Sequence, residues 1–178
     1  SAAAAMRKDV KHIEFSHSEL THWPAEIHGF ENVTSIDASG NSLKALSKEI
    51  GSLGKLEILR LGGNKFKKAP PELTELKNLK ELNLNSNKLN SDPSSLATIG
   101  ELHGLHTLSL DDNALGELPL DFSRLKQLSS LSLERNKFKK KKLAALFEAL
   151  AAAPALEKLN LAQNGCKEMP PEILKLSS

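Results

Sequence analysis

Along most of the chain, apolar residues return in one local pattern, L-x-x-L-x-L-x-x-N-x-L, which Leu56-Glu57-Ile58-Leu59-Arg60-Leu61-Gly62-Gly63-Asn64-Lys65-Phe66 follows throughout. Its first apolar position falls at Val10, Val33, Leu56, Leu79, Leu105, Leu128 and Leu156, in steps of 23, 23, 23, 26, 23 and 28 residues. The next apolar column reads Ile13, Ile36, Leu59, Leu82, Leu108, Leu131, Leu159, and the third Phe15, Ala38, Leu61, Leu84, Leu110, Leu133, Leu161. A polar column keeps step with them: Ser18, Asn41, Asn64, Asn87, Asn113, Asn136, Asn164. Self-similarity at a period of this length predicts a solenoid, in which each unit buries its apolar face against its neighbours.

Within a unit the apolar-x-apolar pair has the period of a strand, so Leu59 and Leu61 point inward and Arg60 between them points outward. A turn must follow. A buried asparagine amide can satisfy the backbone groups that a bend leaves unpaired, and repeated in every unit it makes a ladder. Ser18 departs from the column, as terminal repeats do. Most units leave room only for irregular or 3₁₀ turns on the far side, whereas the two longer steps predict true helices. In the fourth unit Asp92-Pro93 offers an N-cap and a proline at the first helical position, with Leu96, Ile99 and Leu102 on one face. In the sixth, Leu143, Leu146, Phe147 and Leu150 follow helical spacing until Pro154.

These columns resemble the leucine-rich-repeat family over nearly the whole chain. The tails Trp23-Pro24-Ala25-Glu26-Ile27, Ala69-Pro70-Pro71-Glu72-Leu73, Leu118-Pro119-Leu120-Asp121-Phe122 and Met169-Pro170-Pro171-Glu172-Ile173 are similar to its L-P-x-x-I/L form, found in intracellular scaffolds such as the Ras-group plant proteins. The resemblance implies an α/β fold, a right-handed horseshoe with seven parallel strands on the concave face and short turns and two helices on the convex side. It also implies a non-catalytic protein-protein interaction module, an intracellular adaptor or scaffold. The repeat domain is expected over residues 6–178, and Ser1 to Ala5 read as an expression-derived tail ahead of a native start at Met6.

Composition narrows the function further. Lysine and arginine number 24 against 22 acids, and a formal charge of +2 gives no global pull toward nucleic acid or membrane. Aromatics make up 4 % with no tyrosine, so the core must be aliphatic. The single cysteine, Cys166, excludes an internal disulfide or a cysteine-rich zinc site and points to a reducing, cytoplasmic setting. It sits two places after Asn164, at an apolar position, and is expected to be buried. No stretch approaches the roughly 18 apolar residues that span a bilayer, and no secretory signal is recognisable. There is no phosphate-binding glycine loop, no H-E-x-x-H and no G-x-S-x-G, so neither catalysis nor a cofactor is expected. His12 and Glu14 share an outward face near His17, a spacing too unspecific to predict a metal.

The outward columns define a candidate partner-binding face containing Asp37, Ile58, Arg60, Glu81, Asn83, Asp111, Glu134 and Lys158. Five acids, Glu14, Asp37, Glu81, Asp111 and Glu134, face two bases there, and Arg60 beside Ile58 is the expected energetic centre. The positions after the asparagine column form instead a basic edge: Lys44, Lys65, Lys67, Lys68, Lys88, Lys137, Lys139, Lys140 and Lys167, against Glu19, Glu117 and Glu168. Lys141 and Lys142 extend it. The leading expectation is a monomer that holds a protein partner on its concave face. A second reading makes the basic edge a binder of RNA or anionic lipid, with steep salt dependence. A third makes the chain the recognition part of a larger enzyme, since neither end carries an obvious polar cap.

Overall fold

The computed structural model describes residues 8–177, so the stretch read as a tail and the start at Met6 lie outside the described residues. Seven three-residue strands, β1 (His12–Glu14), β2 (Ser35–Asp37), β3 (Ile58–Arg60), β4 (Glu81–Asn83), β5 (Thr107–Ser109), β6 (Ser130–Ser132) and β7 (Lys158–Asn160), form one parallel sheet in chain order. Register is uniform: Ile13 pairs with Ile36, Ile36 with Leu59, Leu59 with Leu82, and so on to Leu159. A slip of one residue would turn every inward leucine to solvent, which is why short strands suffice to fix the pairing. The ladder also continues past the strands, with the Gly40 and Gly63 amides donating to Gly62 O and Asn85 O, each at 2.8 Å.

The chain returns behind the sheet through 3₁₀ turns at Ala25–Gly29, Lys48–Ser52, Pro71–Glu75 and Pro171–Ser177. The first three drop Ile27, Ile50 and Leu73 into the core. The sixth unit carries the expected helix, α2 (Lys140–Leu150), and buries Leu143, Leu146, Phe147 and Leu150. The fourth unit differs from expectation. Its helix α1 (Pro93–Leu96) is a single turn that passes into a 3₁₀ segment, Ala97–Glu101. The step of 26 exceeds the usual 23 by three residues, less than one α-turn, so a longer helix would overshoot the next strand. The cap itself is as read from the sequence, because the Asp92 side chain accepts from the Ser94 amide at 2.8 Å.

Between sheet and turns lies one continuous core of aliphatic side chains, with Phe66, Phe122, Phe138 and Phe147 filling the wider units. Burial falls toward the ends: Ile13, Leu156, Leu159 and Leu161 are only partly covered. Met169 is 52 % exposed.

Each asparagine of the polar column ties two units together. Asn64 donates through Nδ2 to Leu61 O in its own unit and to Ala38 O in the preceding one, both at 3.0 Å, while its Oδ1 accepts from the Leu43 amide at 2.9 Å. Asn41, Asn87, Asn113, Asn136 and Asn164 repeat the arrangement one unit at a time. Ser18 cannot donate in this way and takes part only through its amide, which donates to Asn41 Oδ1.

One feature of the turn was not evident from the sequence. The residue before each member of the asparagine column is left-handed: His17, Gly40, Gly63, Ser86, Asp112, Arg135 and Gln163 have φ between 49° and 70°. That geometry swings the chain so that the asparagine amide faces inward. Only two units use glycine for it, and at Gly40 a Cβ would come within 2.4 Å of the His17 ring. A side chain in this region costs about 1–2 kcal/mol, part of which glycine gives back in chain entropy. Ser86→Gly is therefore expected to raise stability by about 0.5–1 kcal/mol in urea unfolding. A loss of stability would mean that the contact of Ser86 with Asp112 outweighs the strain.

Candidate functional site

The concave face is built by the same register that aligns the core. Pairing brings Asp37 beside Arg60, Arg60 beside Asn83, and Ile58 beside Glu81, so five of the sequence-derived residues form one cluster on β2 to β4. Asp111 and Glu134 form a second group, just past β5 and β6, and exposed Lys158 stands alone on β7. At about 4.8 Å per strand, the seven strands cover roughly 29 Å.

Much of the charge on this face is already engaged. Arg60 Nη2 donates to Glu81 Oε1 at 2.9 Å, across adjacent strands. Asp111 Oδ1 accepts from Ser132 Oγ at 2.6 Å and from the Glu134 amide at 2.7 Å. Glu134 pairs with Arg135 at 2.6 Å and accepts from Asn160 Nδ2 at 3.0 Å. Asp37 and Asn83 accept from the amides of Ser39 and Asn85, both at 2.9 Å. The acidic character expected of the hollow is thereby reduced to a rigid polar lattice. Its open hydrogen-bonding capacity among the described residues includes the Nδ2 amides of Asn83 and Asn85, beside the notch left by Gly62, where a Cβ would approach Asn83 Oδ1 to 3.0 Å.

The basic edge does not behave as one surface. Its C-terminal part is neutralised from neighbouring repeats: Lys140 pairs with Glu168 at 2.6 Å, and Lys142 pairs with Glu117. The hydrogen bond from Lys140 holds the Glu168 carboxyl below the usual carboxylate range and raises the Lys140 ammonium above its ordinary value. The N-terminal part stays charged. Lys44, Lys65, Lys67, Lys68 and Lys88 surround a groove of about 610 Å³ on the flank of the second to fourth repeats. Glu72 is the one carboxylate lining it.

Among the described residues, no group of three or more His, Cys, Asp or Glu is placed to hold a metal ion. Cys166 is half-buried rather than buried, because the last repeat is only partly covered, and its thiol donates to Glu168 O at 2.8 Å. No helix of the described residues is long and apolar enough to cross a membrane.

Comparison with known proteins bears on this architecture. The leucine-rich-repeat family model matches residues 78–99. A leucine-rich-repeat protein of Leptospira interrogans superposes with a TM-score of 0.76 at 31 % identity, over 98 % of this chain and 48 % of that one. An internalin of Listeria monocytogenes gives 0.69 at 18 % identity, over 99 % of this chain and 54 % of that one. The leucine-rich-repeat ectodomain of a plant membrane receptor kinase from Arabidopsis thaliana, solved in complex with Casparian strip integrity factor 2, gives 0.63 at 22 %, over 93 % and 19 %. The chain thus spans about half the length of the two bacterial proteins. No curated protein sequence matches it. With its repeat columns, its uniform sheet and the likeness to the Leptospira protein all in agreement, the chain belongs to the leucine-rich-repeat family.

Proposed function

We propose that this chain is a non-catalytic interaction module, an intracellular adaptor or scaffold that holds a partner protein against β2 to β5 of its concave face. Leucine-rich repeats are a common protein-interaction fold, but a fold alone does not select a face. The observation that carries the choice is the cluster of Asp37, Ile58, Arg60, Glu81 and Asn83, locked in register and backed by a packed core. Such a surface is pre-organised, so little ordering entropy is lost when a partner arrives. Ile58 supplies a half-buried apolar contact, Arg60 a guanidinium oriented by Glu81, and Asn83 an amide for a partner carbonyl. Asp111, Glu134 and Lys158 would form the rim. The half-buried lone thiol of Cys166 suits the cytoplasm. We read the chain as acting as a monomer.

The double variant Arg60→Glu, Asn83→Lys tests this reading. Both residues lie on the outer side of the sheet, so the fold should survive, as circular dichroism would verify. Capture from lysate at moderate salt, read by mass spectrometry, is expected to yield a discrete protein whose recovery falls about tenfold or more with the variant, the equivalent of about 1.4 kcal/mol. Equal recovery would remove the concave face from consideration. The RNA or lipid reading is disfavoured by the pairing of Lys140 and Lys142 with acids of neighbouring repeats. As the recognition part of a larger enzyme, the chain would use the same concave surface.

A further inference from the structure

The charged groove on the flank is a different surface from the concave sheet, and its chemistry is specific. Repeat geometry stacks its lysines in columns. Lys65 and Lys88 each follow their asparagine by one position, and Lys44 and Lys67 by three, in adjoining units. The Lys65 amide donates to Leu43 O at 2.8 Å and the Lys88 amide to Phe66 O at 2.9 Å, so these backbones are held side by side. Like charges are therefore stacked about 5 Å apart at the backbone, with only the flexible side chains free to relieve the repulsion. All five lysines are exposed, and no ion pair to an acid engages them among the described residues; Lys68 Nζ reaches only Ser94 Oγ, at 3.3 Å.

The segment bearing Lys67 and Lys68 is also braced from behind. Ser95, buried at the end of α1, donates from Oγ to Lys67 O at 3.0 Å and accepts the Ala69 amide at 2.7 Å. Thr98 Oγ1 donates to Ala69 O at 3.3 Å. The short helix of the fourth unit thus fixes the wall of the groove. Ala45, Ala69 and Pro70 supply an apolar floor.

We propose that this groove is a second docking site, for an extended acidic segment of a partner protein. Three observations select that occupant. First, the cations are all lysines, point charges suited to separate carboxylates, and none is arginine, whose planar fork favours bidentate phosphate binding. Second, Pro70 and Pro71 stand where the 3₁₀ turn begins and remove the amide donors that would otherwise cradle a phosphate. Third, no aromatic side chain lines the groove, so bases would find no stacking platform. An extended strand shows every second side chain on one face, about 6.6–6.8 Å apart, which matches a lysine array stepping from repeat to repeat. The proposal shares with the concave-face reading only the premise that the chain binds protein.

The test uses a fluorescein-labelled peptide of about ten residues with Glu and Ser alternating, long enough to cross several repeats, and reads its anisotropy with the whole chain. Wild type should bind, and affinity should fall as salt is raised. The triple variant Lys65→Gln, Lys67→Gln, Lys88→Gln should weaken binding about tenfold or more, and Lys67→Gln alone should give a smaller loss of the same sign. Two controls should bind within about twofold of wild type: Lys137→Gln with Lys139→Gln on the other part of the edge, and the concave Arg60→Glu, Asn83→Lys pair. Equal weakening by the groove and edge variants would overturn the proposal, because charge alone would then account for binding. Tighter binding of a uridine decamer or of phosphatidylserine vesicles than of the peptide would overturn it too, as would displacement of the peptide by an equal concentration of inorganic phosphate. Loss of peptide binding in the concave variant would merge the two sites into one.

Discussion

Replacing Asn64 with alanine is expected to destabilise the chain by about 3–5 kcal/mol, more than any surface change considered above. The side chain is buried, and removing it strands the Leu43 amide and weakens the satisfaction of the Ala38 and Leu61 carbonyls. A buried polar group without a partner costs about 1–3 kcal/mol, and here several lose one at once with no loop free to rearrange. Asn64→Asp makes the complementary variant, since its carboxylate can accept from Leu43 but cannot donate to the carbonyls. It should fall on the destabilised side as well. Urea unfolding gives the values, and a change below about 1 kcal/mol for the alanine variant would show that water replaces the amide at low cost.

The second large effect comes from truncating one apolar column at two places. Leu82 on β4 and Leu159 on β7 occupy the same position of the repeat, yet Leu82 is fully buried and Leu159 only partly. Leu82→Ala should cost about 3–4 kcal/mol, the sum of lost transfer energy and a cavity that paired strands on both sides prevent from collapsing. Leu159→Ala should cost roughly half as much, because part of its surface is wet before truncation and the last repeat can close over the gap. Equal costs would indicate that the seventh repeat is packed as tightly as the fourth, contrary to the burial gradient.

Strand positions, sheet order, inward leucines and the asparagine ladder were legible in the sequence because each rests on a repeated demand made by the same local geometry. The left-handed turn was not. Histidine, glycine, serine, aspartate, arginine and glutamine all occupy that position, since the neighbouring ladder imposes the conformation and no side-chain preference records it. The fourth unit misled for another reason: Asp92 and Pro93 announce a helix start correctly, but helix length was set by the distance to the next strand. At the candidate site, the sequence located the concave residues and the lysines but treated charge as a sum along an edge. The neutralising contacts run between repeats, and one of them was readable: Lys140 and Glu168 both stand four places after their asparagines, in adjoining units. Arg60 and Glu81 meet on a diagonal, from the second outward position of β3 to the first of β4.

Because every asparagine satisfies its own unit and the one before it, no bond of the ladder reaches further than a single neighbour. The solenoid is therefore modular in its length. A whole 23-residue period, such as the one that begins at Leu56, can be duplicated or excised and every remaining side chain still meets a neighbour of the same kind. A deletion of any other size leaves one junction where donors face the wrong carbonyls. The reach of the binding surface is in this sense quantised, and descendants of such a chain can lengthen or shorten it by recombination between repeats without redesigning a single turn.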